Sequence, residues 1–100
     1  MLKLALYARL EAKPGKEAAL KSFLKEALPL AEAEGDTPVW FALQFGPSTF
    51  GIFDAFSTDE GRAAHLSGKI AAALMANAEE LLASPPVIEH VNVLAAKVVS

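Results

Sequence analysis

Two side chains of this sequence have the chemistry to move a proton. His65 lies in the segment RAAHLSG, residues 62–68, at the end of a short predicted helix. Histidine is the side chain best able to transfer a proton near neutral pH. Asp54 lies in a predicted strand among apolar residues, where desolvation would raise the pKa of its carboxyl and suit it to act as an acid or base. We therefore predict His65 and Asp54 as catalytic residues.

Each of these two residues also has a purely structural explanation, which the sequence leaves open. A histidine at a helix end interacts favourably with the helix dipole or caps a carbonyl group. An aspartate at the edge of a core can bond to the backbone, and here Arg62 is a nearby partner.

Aromatic side chains could line a pocket for a flat aromatic ligand, although aromatic residues in strands also serve as plain core. Tyr7 and Trp40 are the stronger candidates because a buried phenol or indole group needs a polar partner. The complete set of candidate substrate-binding residues is Tyr7, Trp40, Phe45, Phe53 and Phe56.

The motifs of several other chemistries are absent from the sequence. It contains no P-loop, no glycine-rich dinucleotide fingerprint, no His-Glu-x-x-His and no Gly-x-Ser-x-Gly. It has no cysteine, and its two histidines, His65 and His90, lack metal-ligand spacing. We therefore predict no metal and no cofactor, so that any catalysis uses substrate positioning, proton transfer and an apolar pocket.

Composition restricts the class of protein. One hundred residues, 53% of them hydrophobic, predict a single domain over residues 1–100. The net charge of −3 and the scattered basic residues argue against nucleic acid as a partner. No apolar run reaches the roughly 20 residues of a membrane span, and the apolar start of the chain is typical of a strand rather than a signal peptide. The lack of cysteine fits a cytoplasmic location.

Hydrophobic periodicity predicts the elements that would position these residues. Residues 2–12 alternate as a strand, and a helical stripe follows from Leu20 to a predicted left-handed cap at Gly35, with a kink or break at Pro29. Residues 39–45 and 50–56 form a hairpin. Ser57 or Thr58 caps a short helix, a second helix follows the break at 67–68, and residues 87–98 form the last strand.

The hairpin register decides which side chains share a face of the sheet. A four-residue loop would pair Phe45 with Phe50. It would place Val39 and Phe41 on the face of Asp54, with Trp40 and Phe53 on the other. The same register would put Asp54 among large apolar side chains.

The strand–helix–strand–strand–helix–strand order predicts an α+β, ferredoxin-like fold with an antiparallel sheet. Its helices can cover only one face of the sheet, and both faces carry large apolar groups. We therefore predict a homodimer that packs sheet face on sheet face.

This pattern resembles the antibiotic biosynthesis monooxygenase domain family over nearly the whole chain. The resemblance is carried by the first strand with Lys13-Pro14-Gly15-Lys16, the long helix, the aromatic hairpin, and Arg62-x-x-His65-Leu66. His65 matches the His-Leu of the family.

Asp54 and Phe56 depart from the family pattern: Asp54 stands where many members have Glu, and Phe56 where many have Trp or Tyr. Haem-degrading relatives use an Asn, Trp and His set, and the first strand here offers no Asn.

The resemblance implies a ferredoxin-like subunit and a dimeric α+β barrel. It also implies, for some members, a cofactor-independent monooxygenase in which a quinol or polyketide phenol sits between sheet and helices and its anion reacts with O₂. Our first hypothesis is therefore a monooxygenase of a small aromatic, quinol or polyketide-like substrate. The second is a dimeric protein that binds a small apolar ligand without turnover. A third is a stress-related protein whose dimer forms its whole interaction surface.

Overall fold

A computed structural model describes residues 1–98 and contains the predicted order of elements. The elements are β1 (Leu4–Glu11), α1 (Glu17–Glu26), α2 (Leu28–Glu32), β2 (Val39–Gln44), β3 (Thr49–Phe56), α3 (Asp59–Leu66), α4 (Lys69–Leu81) and β4 (Val87–Asn92). The strands form one antiparallel sheet in the order β2-β3-β1-β4. The ferredoxin-like prediction is therefore confirmed. No helix in this part of the chain is long and apolar enough to cross a membrane.

The core lies between one face of the sheet and the helices. Alternate residues of β1 and β3 point into it, and the register pairs Leu6 with Asp54, Ala8 with Ile52 and Leu10 with Phe50. These side chains are covered on the helix side by Leu20 and Leu24 of α1 and by Leu74 of α4. Asp54 is thus a carboxylate within an otherwise apolar layer.

The predicted hairpin register was wrong by one residue. Gln44, not Phe45, is the partner of Phe50, and the Phe45 N–H donates to the Thr49 carbonyl at 2.8 Å. Because side chains alternate along a strand, this shift moves the whole of β2 to the opposite face. Trp40 therefore lies opposite Asp54 on the covered face, and Phe41 lies opposite Phe53 on the open face.

A contact outside the hairpin accompanies this register. Ser48 and Thr49 both donate hydrogen bonds to the carboxylate of Glu11 at the end of β1, at 2.6 Å and 2.7 Å. These bonds fix the start of β3 against β1, and β2 follows from β3. Hydrophobic alternation could not select this register, because both faces of β2 carry apolar side chains.

The first helical region is divided as predicted, but its end differs. Ala27 separates α1 from α2, and Pro29 lies in the first turn of α2, where a missing N–H costs no hydrogen bond. The prediction of a left-handed cap at Gly35 was wrong, since Gly15, at φ 86°, is the one described residue with positive φ. Instead, the Thr37 N–H donates to the Glu34 carbonyl in a turn.

The second half of the chain begins with the predicted cap. The Thr58 side chain accepts a hydrogen bond from the Gly61 N–H at 3.0 Å, which fixes the start of α3. The last strand is shorter than expected and ends at Asn92 instead of residue 98.

The second face of the sheet is not covered by helices. Tyr7, Phe41, Phe45 and Phe53 lie on this open face, where the rings of Phe41 and Phe53 are stacked with centroids 6.4 Å apart. Phe41 remains 54% exposed and Phe45 56% exposed. This apolar surface is the one on which the dimer prediction depends.

Candidate functional site

Three ionisable side chains from separate elements meet beneath the helices. His65 Nε2 lies 2.9 Å from Asp54 Oδ2, and His65 Nδ1 lies 2.6 Å from Glu34 Oε1. His65 is 7% exposed and Asp54 is 2% exposed, whereas the side chain of Glu34 is 20% exposed. We call this group the Glu34–His65–Asp54 cluster.

The hydrogen bonds of the cluster determine the charge of His65. An ionised carboxylate only accepts hydrogen bonds, so each ring nitrogen that faces one must carry a hydrogen. A neutral imidazole has a single N–H, whereas the imidazolium has two. His65 is therefore an imidazolium that donates from Nδ1 to Glu34 and from Nε2 to Asp54.

The pKa of His65 follows from the same contacts. Burial opposes the charged form and by itself would lower the pKa, but the hydrogen bonds and negative charges of Asp54 and Glu34 outweigh it. The net effect raises the pKa of His65 from 6.5 to about 9. At neutral pH, His65 therefore carries a positive charge between two carboxylates.

The backbone places each member of the cluster by a different means. Asp54 projects towards the helices because it alternates with Phe53 and Ala55 along β3. His65 is near the end of α3, and its ring lies against Phe56 with centroids 5.5 Å apart. Glu34 is carried by the turn that follows α2, where the Thr37 hydroxyl donates to Glu34 Oε1 at 2.9 Å.

One oxygen of the buried Asp54 carboxylate has no hydrogen-bond partner in the described chain. Asp54 Oδ2 is bonded to His65, but Oδ1 accepts no hydrogen bond from any side chain or backbone group of residues 1–98, although it is shielded from solvent. Buried polar atoms in proteins are nearly always bonded, so such an oxygen is a candidate for contact with a ligand. The indole N–H of Trp40, on the strand opposite Asp54, is also buried and without an acceptor in the described chain.

His65 adjoins two cavities of different size. The inner cavity, of about 40 Å³, lies between sheet and helices, where Asp54 and His65 meet Leu6, Ile52 and Leu74. The outer pocket, of about 320 Å³, is open to solvent. Its lining includes Leu30, Glu34, Asp36, Thr37, His65 and Lys69. The cluster thus lies between the inner cavity and the outer pocket.

The structure brings the two predicted catalytic residues together but divides the predicted aromatic set. Trp40 and Phe56 lie on the covered face with Asp54, while Tyr7, Phe45 and Phe53 lie on the open face. The five side chains therefore do not line one pocket within this chain.

Of the structural alternatives, the pairing of Asp54 with Arg62 is not found, whereas His65 lies in the last turn of α3, where a positive charge favours the helix dipole. Arg62 pairs with Asp59 at 3.5 Å, and Asp54 bonds to His65. His90 is exposed on the edge strand β4, across Leu6 from Asp54 on the helix side of the sheet. The two carboxylates of the Glu34–His65–Asp54 cluster lie against opposite nitrogens of the ring, and within residues 1–98 no group of His, Cys, Asp or Glu side chains is arranged to hold a metal ion.

Sequence reasoning missed Glu34 as a member of the site. The sequence marks it only as the residue before the predicted helix cap at Gly35, 31 positions before His65. Two features hinted at its role: the helix break at Pro29 and the turn at 34–37. A helix that ends there allows the chain to fold back over α3. The sequence does not show in which direction the chain turns after the helix.

Comparison with known proteins gives a near relative and several fold neighbours. No protein-family model matches the chain, and neither does any curated protein. A solved structure of NE2512, a protein of unknown function from Nitrosomonas europaea, is 68% identical, with a TM-score of 0.97 over 100% of this chain and 97% of that one. The chain belongs to the NE2512 family.

More distant structures share the fold of this family. One from Nitrosomonas europaea, provisionally named an antibiotic biosynthesis monooxygenase, is 18% identical, with a TM-score of 0.80 over 92% of this chain and 90% of that one. A second structure with the same provisional name, from Chloroflexus aurantiacus, is 19% identical. Its TM-score is 0.74 over 98% of this chain and 99% of that one. These likenesses confirm the predicted resemblance at the level of the fold.

Proposed function

We propose that this protein is a cofactor-independent monooxygenase of a small phenol or quinol, with Asp54 as the proton acceptor. The observation that supports the proposal is the free oxygen of Asp54 at the inner cavity, next to a fixed positive charge on His65. A phenolic O–H is a donor of the kind that this oxygen lacks. The fold neighbours that are provisionally named monooxygenases agree with this class of reaction.

The proposed roles of the two catalytic residues differ. Because the pKa of His65 is raised to about 9, its ring is already protonated at neutral pH and cannot serve as the base. Asp54 accepts the phenol proton at Oδ1, and the substrate becomes an aryl oxide anion. The imidazolium of His65 then stabilises that anion electrostatically, in a site from which water is excluded.

Dioxygen is the oxidant in this proposal, and the substrate supplies four electrons. One oxygen atom is added to a ring carbon, which converts a phenol to a quinone and a quinol to a hydroxyquinone. The other oxygen atom leaves as water with the hydroxyl hydrogen and the ring hydrogen of the substrate. Asp54 returns its proton during the formation of water, so the enzyme ends in its starting state.

The inner cavity must open to admit a ring. Its volume of about 40 Å³ is below the roughly 300–1,000 Å³ of ordinary ligand pockets. We propose that α4 moves away from the sheet on binding, because Leu74 and Ile70 of α4 form the roof of the cavity. Trp40 and Phe56, on the same face, would then hold the ring, and Tyr7, Phe45 and Phe53 would serve the open face instead.

A homodimer through the open face forms part of the proposal. Phe41, Phe45 and Val87 are each more than half exposed on this face, and an exposed apolar sheet of this kind favours association. A two-fold axis would pack the sheet of one protomer on that of its partner.

The proposed reaction is tested by oxygen uptake with a panel of quinols and polyphenols. Uptake that depends on folded protein, with one atom of ¹⁸O from ¹⁸O₂ in the quinone product, supports a monooxygenase. Uptake that yields hydrogen peroxide and an unlabelled product would mean that the protein only promotes electron transfer to O₂. A heat-denatured sample is the control for uncatalysed oxidation.

The outer pocket favours a second candidate function, the binding of a small ligand without turnover. Its volume of about 320 Å³ is within the ordinary range for ligand pockets, and Leu30 and Ala33 provide an apolar wall. Thermal stabilisation by a compound that gives neither product nor oxygen uptake would favour this function. Loss of that stabilisation in a Lys69→Glu variant would assign the compound to the outer pocket.

A further inference from the structure

The far side of His65 carries a contact that the proposed reaction does not use. Glu34 Oε1 lies 2.6 Å from His65 Nδ1, a shorter separation than the 2.9 Å between Nε2 and Asp54 Oδ2. Short separations of this kind are typical of charge-assisted hydrogen bonds. Glu34 also faces the outer pocket, whereas Asp54 faces the inner cavity.

The Glu34 carboxylate has one hydrogen-bond donor besides His65 in the described chain, at Oε1, and its Oε2 is buried without a partner. The Thr37 hydroxyl donates to Oε1, and the Thr37 N–H donates to the Glu34 carbonyl. At residue 68, a Cβ would lie 3.0 Å from Glu34 Oε2, so the glycine at the start of α4 lets the carboxylate close against the backbone. A carboxylate held in this way fixes the orientation of the ring that it contacts.

We infer that Glu34 is a positioning residue that retains the proton on His65 Nδ1, so that the proton between His65 Nε2 and Asp54 is the mobile one. The inference rests on the proposed function for its use in catalysis. In general, the hydrogen bond at one ring nitrogen of a histidine determines which proton the ring keeps. The shorter separation, together with the turn that holds Glu34, is the observation from which we infer Nδ1 as the retained site.

The consequence concerns the proton-transfer side of the ring. With Nδ1 occupied, the single proton that His65 can give up or share points at Asp54 and the inner cavity. In the proposed reaction this proton stays on His65 while Asp54 Oδ1 accepts the substrate proton, and it is the proton that the ring loses when the pH rises through the His65 transition. The ionisable groups that face His65 are Asp54 from β3 and Glu34 from the turn after α2, while Asp36 and Lys69 line the outer pocket beside it.

The inference is tested by ¹⁵N NMR of histidine-labelled full-length protein, titrated from neutral pH to above the His65 transition. Ring nitrogen shifts report which nitrogen keeps its proton in the neutral form. In the wild type we expect His65 to retain the Nδ1 proton. In Glu34→Gln we expect the retained proton to move to Nε2, and the titration midpoint to fall by more than one pH unit.

Asp36→Asn is the matched control, because this variant removes a neighbouring carboxylate of the same pocket and should change neither the retained proton nor the midpoint. Retention at Nε2 in the wild type would overturn the inference, even if Glu34→Gln fails to fold. An unchanged retained proton in a folded Glu34→Gln would also overturn it, since Glu34 would then supply only charge. These measurements need no substrate, so their result is separate from that of the oxygen-uptake test.

Discussion

His65 Nε2 and Asp54 Oδ2 lie 2.9 Å apart, although one residue is on α3 and the other is on β3. The bond leaves Asp54 Oδ1 as a buried acceptor next to a fixed positive charge. A carboxylate in this setting has both a free lone pair for a ligand hydroxyl and a neighbouring cation for the anion that results.

The unfolding free energy should fall as the pH rises from about 6.5 to about 9. Because the pKa of His65 is raised on folding, its contribution is fully present below the unfolded pKa of 6.5 and is lost as the pH passes through the folded value. The loss should be on the order of 3 kcal/mol at most, from the size of the shift. Urea unfolding at a series of pH values measures it.

A His65→Ala variant provides the comparison for that pH series. We expect it to be less stable at pH 6.5 and to have a much flatter profile between pH 6.5 and 9, because it lacks the group whose pKa is raised from 6.5 to about 9 on folding. An equally steep decline in the variant would show that the pH dependence comes from other groups.

The fold could be predicted from the sequence because each element has its own local signal. Alternation in β1, the Thr58 cap and the break at 67–68 are properties of short segments. The sequence could not predict which face of β2 packs against the helices, since Trp40 and Phe41 are equally suited to a core. Only the pairing of β3 with β1 and the contact of Ser48 and Thr49 with Glu11 distinguish the two faces.

The site was predictable only in part, for a related reason. Proton-transfer chemistry singled out His65 and Asp54 because of their residue types. Glu34 is one of many acidic residues in a chain with twelve, and its role depends on how the chain turns after α2. A contact between residues 31 positions apart is set by tertiary packing and has no signature in the local sequence.

Gly51→Ala should destabilise the protein, because the added methyl group would crowd side chains on the open face of the sheet. A Cβ at this position would lie 3.0 Å from the Phe45 ring and 3.2 Å from the Ala8 carbonyl oxygen, which belongs to the backbone of β1. We expect a loss of about 1 kcal/mol, the lower end for overpacking, measured by thermal or urea unfolding. Gly46→Ala is a suitable control, because nothing lies within 4 Å of its Cβ position. Equal stability of the two variants would contradict the tight approach of β1 and β3.

Phe41→Lys should convert the proposed dimer to a monomer. Phe41 is 54% exposed on the open face, and a charge there would be buried without a partner in a sheet-on-sheet interface. Sedimentation velocity at micromolar concentration measures the change in mass. Met75→Lys is the control, since Met75 is 60% exposed on α4 and outside the open face, and should leave the mass unaltered. A wild type that sediments as a monomer would rule out this interface.

Oxygen uptake in Asp54→Asn, compared with Asp59→Asn, tests the central claim most directly. Both variants exchange a carboxylate for an amide, but Asp59 is exposed and pairs only with Arg62 in the described chain. With a quinol that the wild type oxidises, we expect Asp54→Asn to lose about 100-fold or more of the rate, the size of a general-base contribution. Asp59→Asn should keep the wild-type rate. A folded Asp54→Asn that oxidises the quinol as fast as the wild type would contradict the assignment of Asp54 as the proton acceptor.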